Sequence, residues 1–217
     1  MNKGFHYFAF LLLFCFFSQK SFAQNVPDLI YYQFDAVGTS TVFNAASPGA
    51  GSANANIGGG MTQAAGGQFG GGLVGTGGAS NSDFVNTGWK TDLDGAWTIS
   101  FFLSNVAPDN TVYYFFGDHS ANSFRCFTNG TAGTGNLAIK TSGISGWSDV
   151  IIPNAVGMDG KVIHLVYDTA AAEIRAYING SLVTTQSQPI FTLNGTAANK
   201  FKVGGYDDLN GLPPGAI

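Results

Sequence analysis

Few side chains here can do chemistry: nine Lys and Arg, thirteen Asp and Glu, three His and two Cys in 217 residues. Hydrolysis of a glycoside takes two carboxylates about 5 to 9 Å apart, one protonated and one charged. The only Glu is Glu173, flanked by Ala172 and Ile174, with no acidic residue two places away. A nucleophilic triad is no better supplied. His119 and His164 are the only histidines after His6, and Cys126, between Arg125 and Phe127, has no catalytic motif around it. It reads as a buried, inert thiol. Gly70, Gly72 and Gly75 have the spacing of a dinucleotide fingerprint, which must follow a strand and open a helix. The residues after Gly75, Thr-Gly-Gly-Ala-Ser-Asn, open no helix. No catalytic residue is assigned.

Binding chemistry is better represented. A sugar stacks its C–H face on an aromatic ring and needs hydrogen-bonding side chains for its hydroxyls. Three residues qualify. Trp147 lies in the turn-like Gly146-Trp147-Ser148-Asp149, where its ring either faces solvent or tucks into the rim of the fold. Arg175 and Tyr177 alternate with Ile174, Ala176 and Ile178, which points them off the core face. His164, in an apolar stretch, reads as a packed histidine. Trp89 and Trp97 read as core.

The elements that must position these residues are β-strands. Trp97 to Leu103 alternates, with Trp97, Ile99, Phe101 and Leu103 on one face. Strands are expected at 29–34 (LIYYQF), 112–116, 123–129, 136–141, 161–167, 173–178, 181–188 and 201–203, with the 161–167 and 173–178 pair joined by a turn beginning at Asp168. Asn-Gly at 129–130, 179–180, 194–195 and 210–211 signals tight hairpins. The first three also read as glycosylation acceptors, but turn chemistry explains all four. Residues 45–82 are dominated by Gly, Ala, Ser and Asn. They read as long loops laid over the core, with a short strand near Leu73-Val74. No run of ten residues has helical period with caps. The fold class is all-β, an antiparallel β-sandwich.

Composition narrows the partners. Only 10% of residues are charged and the net charge is −4, so no basic footprint for nucleic acid exists. The 31 Gly residues have no triplet period, which removes collagen. Lys3 followed by the apolar run from Phe8 to Phe17 and by Ser21-Phe22-Ala23 reads as a signal peptide, residues 1–23, cut before Gln24. The run is about half the length needed to cross a bilayer, so no membrane insertion is expected after cleavage. Removing Lys3 and Lys20 leaves seven basic against thirteen acidic residues, a charge of −6, and Cys126 alone among the cysteines. Export to the outside or the cell surface is expected, without an internal disulfide.

The order of these pieces resembles a laminin G-like domain, a jelly roll of the concanavalin A-like lectin/glucanase superfamily. The matching stretches are YYQFD (31–35), SDFVNTG (82–88), WTISFFLS (97–104), KVIHLVYDTAAAEIRAYINGSLV (161–183) and FKVGGYDDLNGLPPGAI (201–217). The resemblance implies one domain over 24–217. Val162 stands where such domains often have Trp, and they usually continue past Ile217 with an acidic pair and a closing strand beside the first. The record is therefore expected to be truncated, lacking that strand and leaving an open edge beside YYQFD. The related glucanases carry Glu, Asp and Glu alternating on one strand, a pattern missing here. Laminin G-like domains often hold one calcium ion through Asp carboxylates and loop carbonyls, which makes Asp118, Asp207 and Asp208 candidate ligands. The alternative reading is that Asp118 starts a turn and the pair is solvated. The function implied is a secreted, non-catalytic module for a glycan or a cell-surface protein. The rivals are a structural or adhesive domain of a longer surface protein, and a glycosidase, which the missing carboxylates disfavour.

Overall fold

Alternation decides which side chains are buried, and the strands follow it. The computed structural model describes residues 27–46, 54–77 and 82–205. In chain order the strands are β1 (Thr41–Phe43), β2 (Asn54–Ile57), β3 (Thr62–Gly67), β4 (Gly70–Val74), β5 (Val85–Asn86), β6 (Asp92–Leu93), β7 (Trp97–Leu103) and β8 (Tyr113–Gly117). They continue as β9 (Ser123–Thr128), β10 (Leu137–Ser142), β11 (Val150–Ile152), β12 (Lys161–Asp168), β13 (Glu173–Ile178), β14 (Ser181–Ser187), β15 (Leu193–Asn194) and β16 (Lys202–Val203). One large sheet runs in the order β1, β2, β5, β16, β8, β9, β10, β11, and a second runs β14, β13, β12, β7. Two small ribbons, β3 with β4 and β6 with β15, complete the described residues. Every ladder is antiparallel. The expected β-sandwich is the fold.

Aromatic rings join the two sheets. Trp97 of β7 stacks on Phe124 of β9 with centroids 6.0 Å apart, and Phe101 meets Phe116 of β8 edge-on at 5.0 Å. Ile163, Leu165 and Tyr167 of β12 and Ile174 and Ala176 of β13 are buried in the same core. Cys126 is buried there too, and burial pushes its thiol well above the ordinary value. The β13–β14 hairpin turns on Asn179 and Gly180 at φ 50° and 81°, the two positive angles that a tight hairpin requires.

Three expectations need correction. LIYYQF is not a regular strand: it makes one bridge, Tyr32 to Asn44, and the chain turns out of extended geometry at Phe34, whose φ is 56°. The Asn44 side chain takes the place of a ladder partner, accepting from the Tyr31 N–H at 2.8 Å and donating to the Leu29 carbonyl at 3.1 Å. Within 45–82, by contrast, β2, β3 and β4 form. β4 contains the short strand expected near Leu73-Val74, with Leu73 buried in the core, and close backbone contact packs the ribbon further. A methyl at Gly67 would lie 1.9 Å from the Gly71 carbonyl, and one at Gly71 would lie 2.0 Å from the Phe34 carbonyl. Asn194-Gly195 is not a hairpin, since Asn194 belongs to β15 and pairs with Asp92. At the opposite extreme Asn129, buried, donates to the Thr111 carbonyl at 2.7 Å and accepts from the Gly135 N–H at 2.8 Å, a loop anchor with no room for a glycan. The signal peptide, Asn210-Gly211 and the chain after Gly205 lie outside the described residues.

Gly71→Ala should lower unfolding free energy by about 2 to 3 kcal/mol, because neither carbonyl nor hairpin can give way. Gly38→Ala, in open space at φ 78°, should cost only about 1 kcal/mol from backbone strain. Urea denaturation of the two variants checks the contrast.

Candidate functional site

Burying one parity of β12 and β13 exposes the other. Register then fixes which outward residues stand side by side. Tyr177 lies between Leu182 of β14 and His164 of β12, and His164 faces Ser100 of β7. One step along, Arg175 lies between Thr185 and Val166, and beyond that Glu173 faces Asp168. In the other direction Val162 faces Phe102. None of these outward side chains is buried. His164 is thus on the solvent side and not packed in the apolar face; its Nδ1 is 2.7 Å from Ser100 Oγ.

Arg175 is held rigidly. Its Nε donates to Glu173 Oε1 at 2.5 Å and its Nη2 to Asp168 Oδ2 at 3.0 Å. The bond to Glu173 is the foremost of the contacts that raise its basicity. Asp168 is itself fixed, its Oδ1 accepting from the N–H groups of Ala170 at 3.0 Å and Ala171 at 3.1 Å. The Ala171 N–H above all, then Ala170 and Arg175, hold the Asp168 carboxyl below its ordinary range. A guanidinium carries five N–H donors in a plane, so hydrogen-bonding capacity remains after both carboxylates are met.

Asp168 and Glu173 form a carboxylate pair that reading along one strand missed, because it arises across the β12–β13 ladder. The signal for it was the turn at Asp168, which sets the register. A glycosidase asks something different of its acid pair. The general acid there needs a raised pKa, whereas Asp168 is lowered and both carboxylates are bound to one guanidinium. The arrangement can position a fixed donor beside a tyrosine ring and a His–Ser pair.

Arg175 and Tyr177 are therefore brought together as expected. Trp147 is elsewhere, at the rim, half-buried and edge-on to Phe191 at 5.2 Å. Its flanks are tied down, with Gln188 Oε1 accepting from the Ser148 N–H at 3.1 Å and Gln188 Nε2 donating to the Ser148 carbonyl at 2.6 Å. The ring takes the tucked alternative and contributes packing. At the far end of the outward face, Phe69 of the β3–β4 turn is 80% exposed and meets Phe102 edge-on at 6.3 Å.

Of the metal candidates, Asp118 alone lies among the described residues. Asp118 is 3% exposed; its Oδ1 accepts from the Ser120 N–H at 2.7 Å, and its Oδ2 accepts from Thr91 Oγ1 and, at 2.7 Å, from Ser123 Oγ. The carboxylate is an acceptor for protein donors, tying the β8–β9 turn to the segment before β6, rather than a cradle open to a cation. Among the described residues no group of three His, Cys, Asp or Glu could hold a metal ion. Asp207 and Asp208 lie outside the described residues.

No protein-family model matches the sequence, and no curated protein matches it. Among solved structures the chain is similar to the binding domain of botulinum neurotoxin DC, seen in complex with rat synaptotagmin II, at TM-score 0.55 and 13% identity. That match covers 81% of this chain and 42% of the other. The CBM40 of the Ruminococcus gnavus IT-sialidase bound to α2,3-sialyllactose gives TM-score 0.44 at 17% identity, covering 64% of this chain and 88% of that one. Domain 4 of AbnA, a GH43 extracellular arabinanase from Geobacillus stearothermophilus in complex with arabinotriose, gives 0.49 at 17%, covering 74% and 72%. The first likeness shows a shared β-sandwich fold and nothing finer.

Trp147→Ala should cost about 2 to 4 kcal/mol of stability through lost packing, whereas Arg175→Ala, whose ion pairs are partly exposed, should leave stability little changed; thermal and urea unfolding distinguish them. The lowered Asp168 stabilises the native state above the ordinary aspartate pKa, and this contribution disappears as pH falls through its lower folded value. Wild type should therefore exceed Asp168→Asn in stability near neutral pH, with the gap closing below about pH 4. Urea titrations across that range measure it.

Proposed function

We propose that this protein is a secreted, non-catalytic carbohydrate-binding module of the laminin G-like type, taking its ligand on the outward face of the four-stranded sheet. One observation carries the reading: a tyrosine, a guanidinium immobilised by two carboxylates, and a hydrogen-bonded His–Ser pair stand in adjacent register positions on a rigid ladder. A saccharide needs an apolar ring face and fixed hydrogen-bond partners, and pre-ordering those partners lowers the entropy lost on binding. Tyr177 would supply the ring. Arg175, His164 and Ser100 would address hydroxyls. Groups carried by strands hold their geometry better than groups carried by loops, which suits recognition by many weak contacts. The export signal read in residues 1–23 supports an extracellular ligand.

On a glycan array, wild type should bind a defined subset of saccharides. Tyr177→Ala and Arg175→Ala should each weaken that binding roughly tenfold or more, the size of one lost stacking or charge-assisted contact, with unfolding temperatures little changed. Retention of full binding by both variants would contradict the assignment of this face, as would binding lost only in Trp147→Ala.

A further inference from the structure

Resting on that reading, we infer that the ligand is an uncharged oligosaccharide and that the site selects against acidic ones. The outward face bears two carboxylates, Asp168 and Glu173, against one guanidinium, an excess of one negative charge within that cluster. Both carboxylates lie against Arg175, which is already neutralised and has no unpaired charge to offer an anion. Arg also binds carboxylates bidentately through the same fork of N–H groups, and here that fork is divided between Glu173 and Asp168.

The neighbouring elements supply no compensating cation. On β7 the outward residues are Thr98, Ser100 and Phe102, and on β14 the register partners are Leu182, Thr185 and Ser187. Lys161, at the start of β12, has the inward parity and donates to the Asn154 carbonyl at 2.6 Å. Lys140 is on the other sheet and paired with Asp149 at 3.2 Å. A sialylated or uronate-containing glycan reaching from Tyr177 along the ladder to Arg175 would bring its carboxylate against the two carboxylates that already hold the guanidinium, at a separation well inside the screening length. A neutral glycan meets hydroxyl acceptors and donors without that repulsion.

The test is an array of neutral oligosaccharides alongside the same oligosaccharides carrying a sialic acid or a uronate, probed with wild type and with the Asp168→Asn/Glu173→Gln double variant. Wild type should favour the neutral member of each pair by roughly tenfold, the scale of one uncompensated charge at a partly exposed site. The double variant, which frees the guanidinium, should narrow or reverse that preference. Equal or tighter wild-type binding of the acidic members overturns the inference while leaving the glycan reading intact. An undiminished preference in a folded double variant overturns the assignment of the selectivity to these carboxylates. Capture of neither class by wild type overturns the glycan reading itself, and this inference with it.

Discussion

The packing of aromatic rings between two sheets constrains everything else in this molecule. Trp97 over Phe124 and Phe101 against Phe116 bind β7 to the large sheet, and Tyr167 stacks on Phe191 with centroids 4.3 Å apart. Once those rings are inside, period-two geometry leaves no choice for the alternate residues. Ile163, Leu165, Ile174 and Ala176 face inward, so His164, Asp168, Glu173, Arg175 and Tyr177 must face outward. A slip of one residue would reverse both sets and bury two carboxylates and a guanidinium. The polar ladder is therefore the obligatory counterpart of the apolar core.

The same ladder holds two adjacent carboxylates in an arrangement that differs from a glycosidase's acid pair. Acid catalysis on a glycoside depends on environments that drive two carboxyl pKa values apart, one kept protonated by an apolar pocket or a like charge. Here Arg175 lies between them and backbone N–H groups close around Asp168, so the environment favours charge. What results is a preorganised donor. Its contribution to stability is small because both ion pairs are partly exposed, and its geometric definition is high because two carboxylates fix one guanidinium.

Strands whose burial is paid by large side chains were legible in the sequence. WTISFFL, KVIHLVYD and EIRAYI alternate openly, and Asn179-Gly180 marks its hairpin by composition. The β3–β4 ribbon was legible only as a short strand near Leu73-Val74, because the rest of its close fit rests on missing side chains at Gly67 and Gly71, and hydrophobic patterning is blind to that. LIYYQF misled for the opposite reason: it has strand composition, but the Asn44 side chain and the Phe34 backbone redirect it. Arg175 and Tyr177 could be placed outward by parity alone. The Asp168–Glu173 pair could be found only after the register was known, and the packing of Trp147 on Phe191 joins residues 44 positions apart with no local signal.

Amide chemical-shift mapping during titration of an isotope-labelled sample with a saccharide bound by the wild-type protein tests the central claim most directly. Perturbations should concentrate at 98–102, 162–168 and 173–177, the three strands that present the outward ladder. Perturbations confined to the rim at 146–148 and 188–191, or to the part of the large sheet around Arg125 and Lys140, would contradict it.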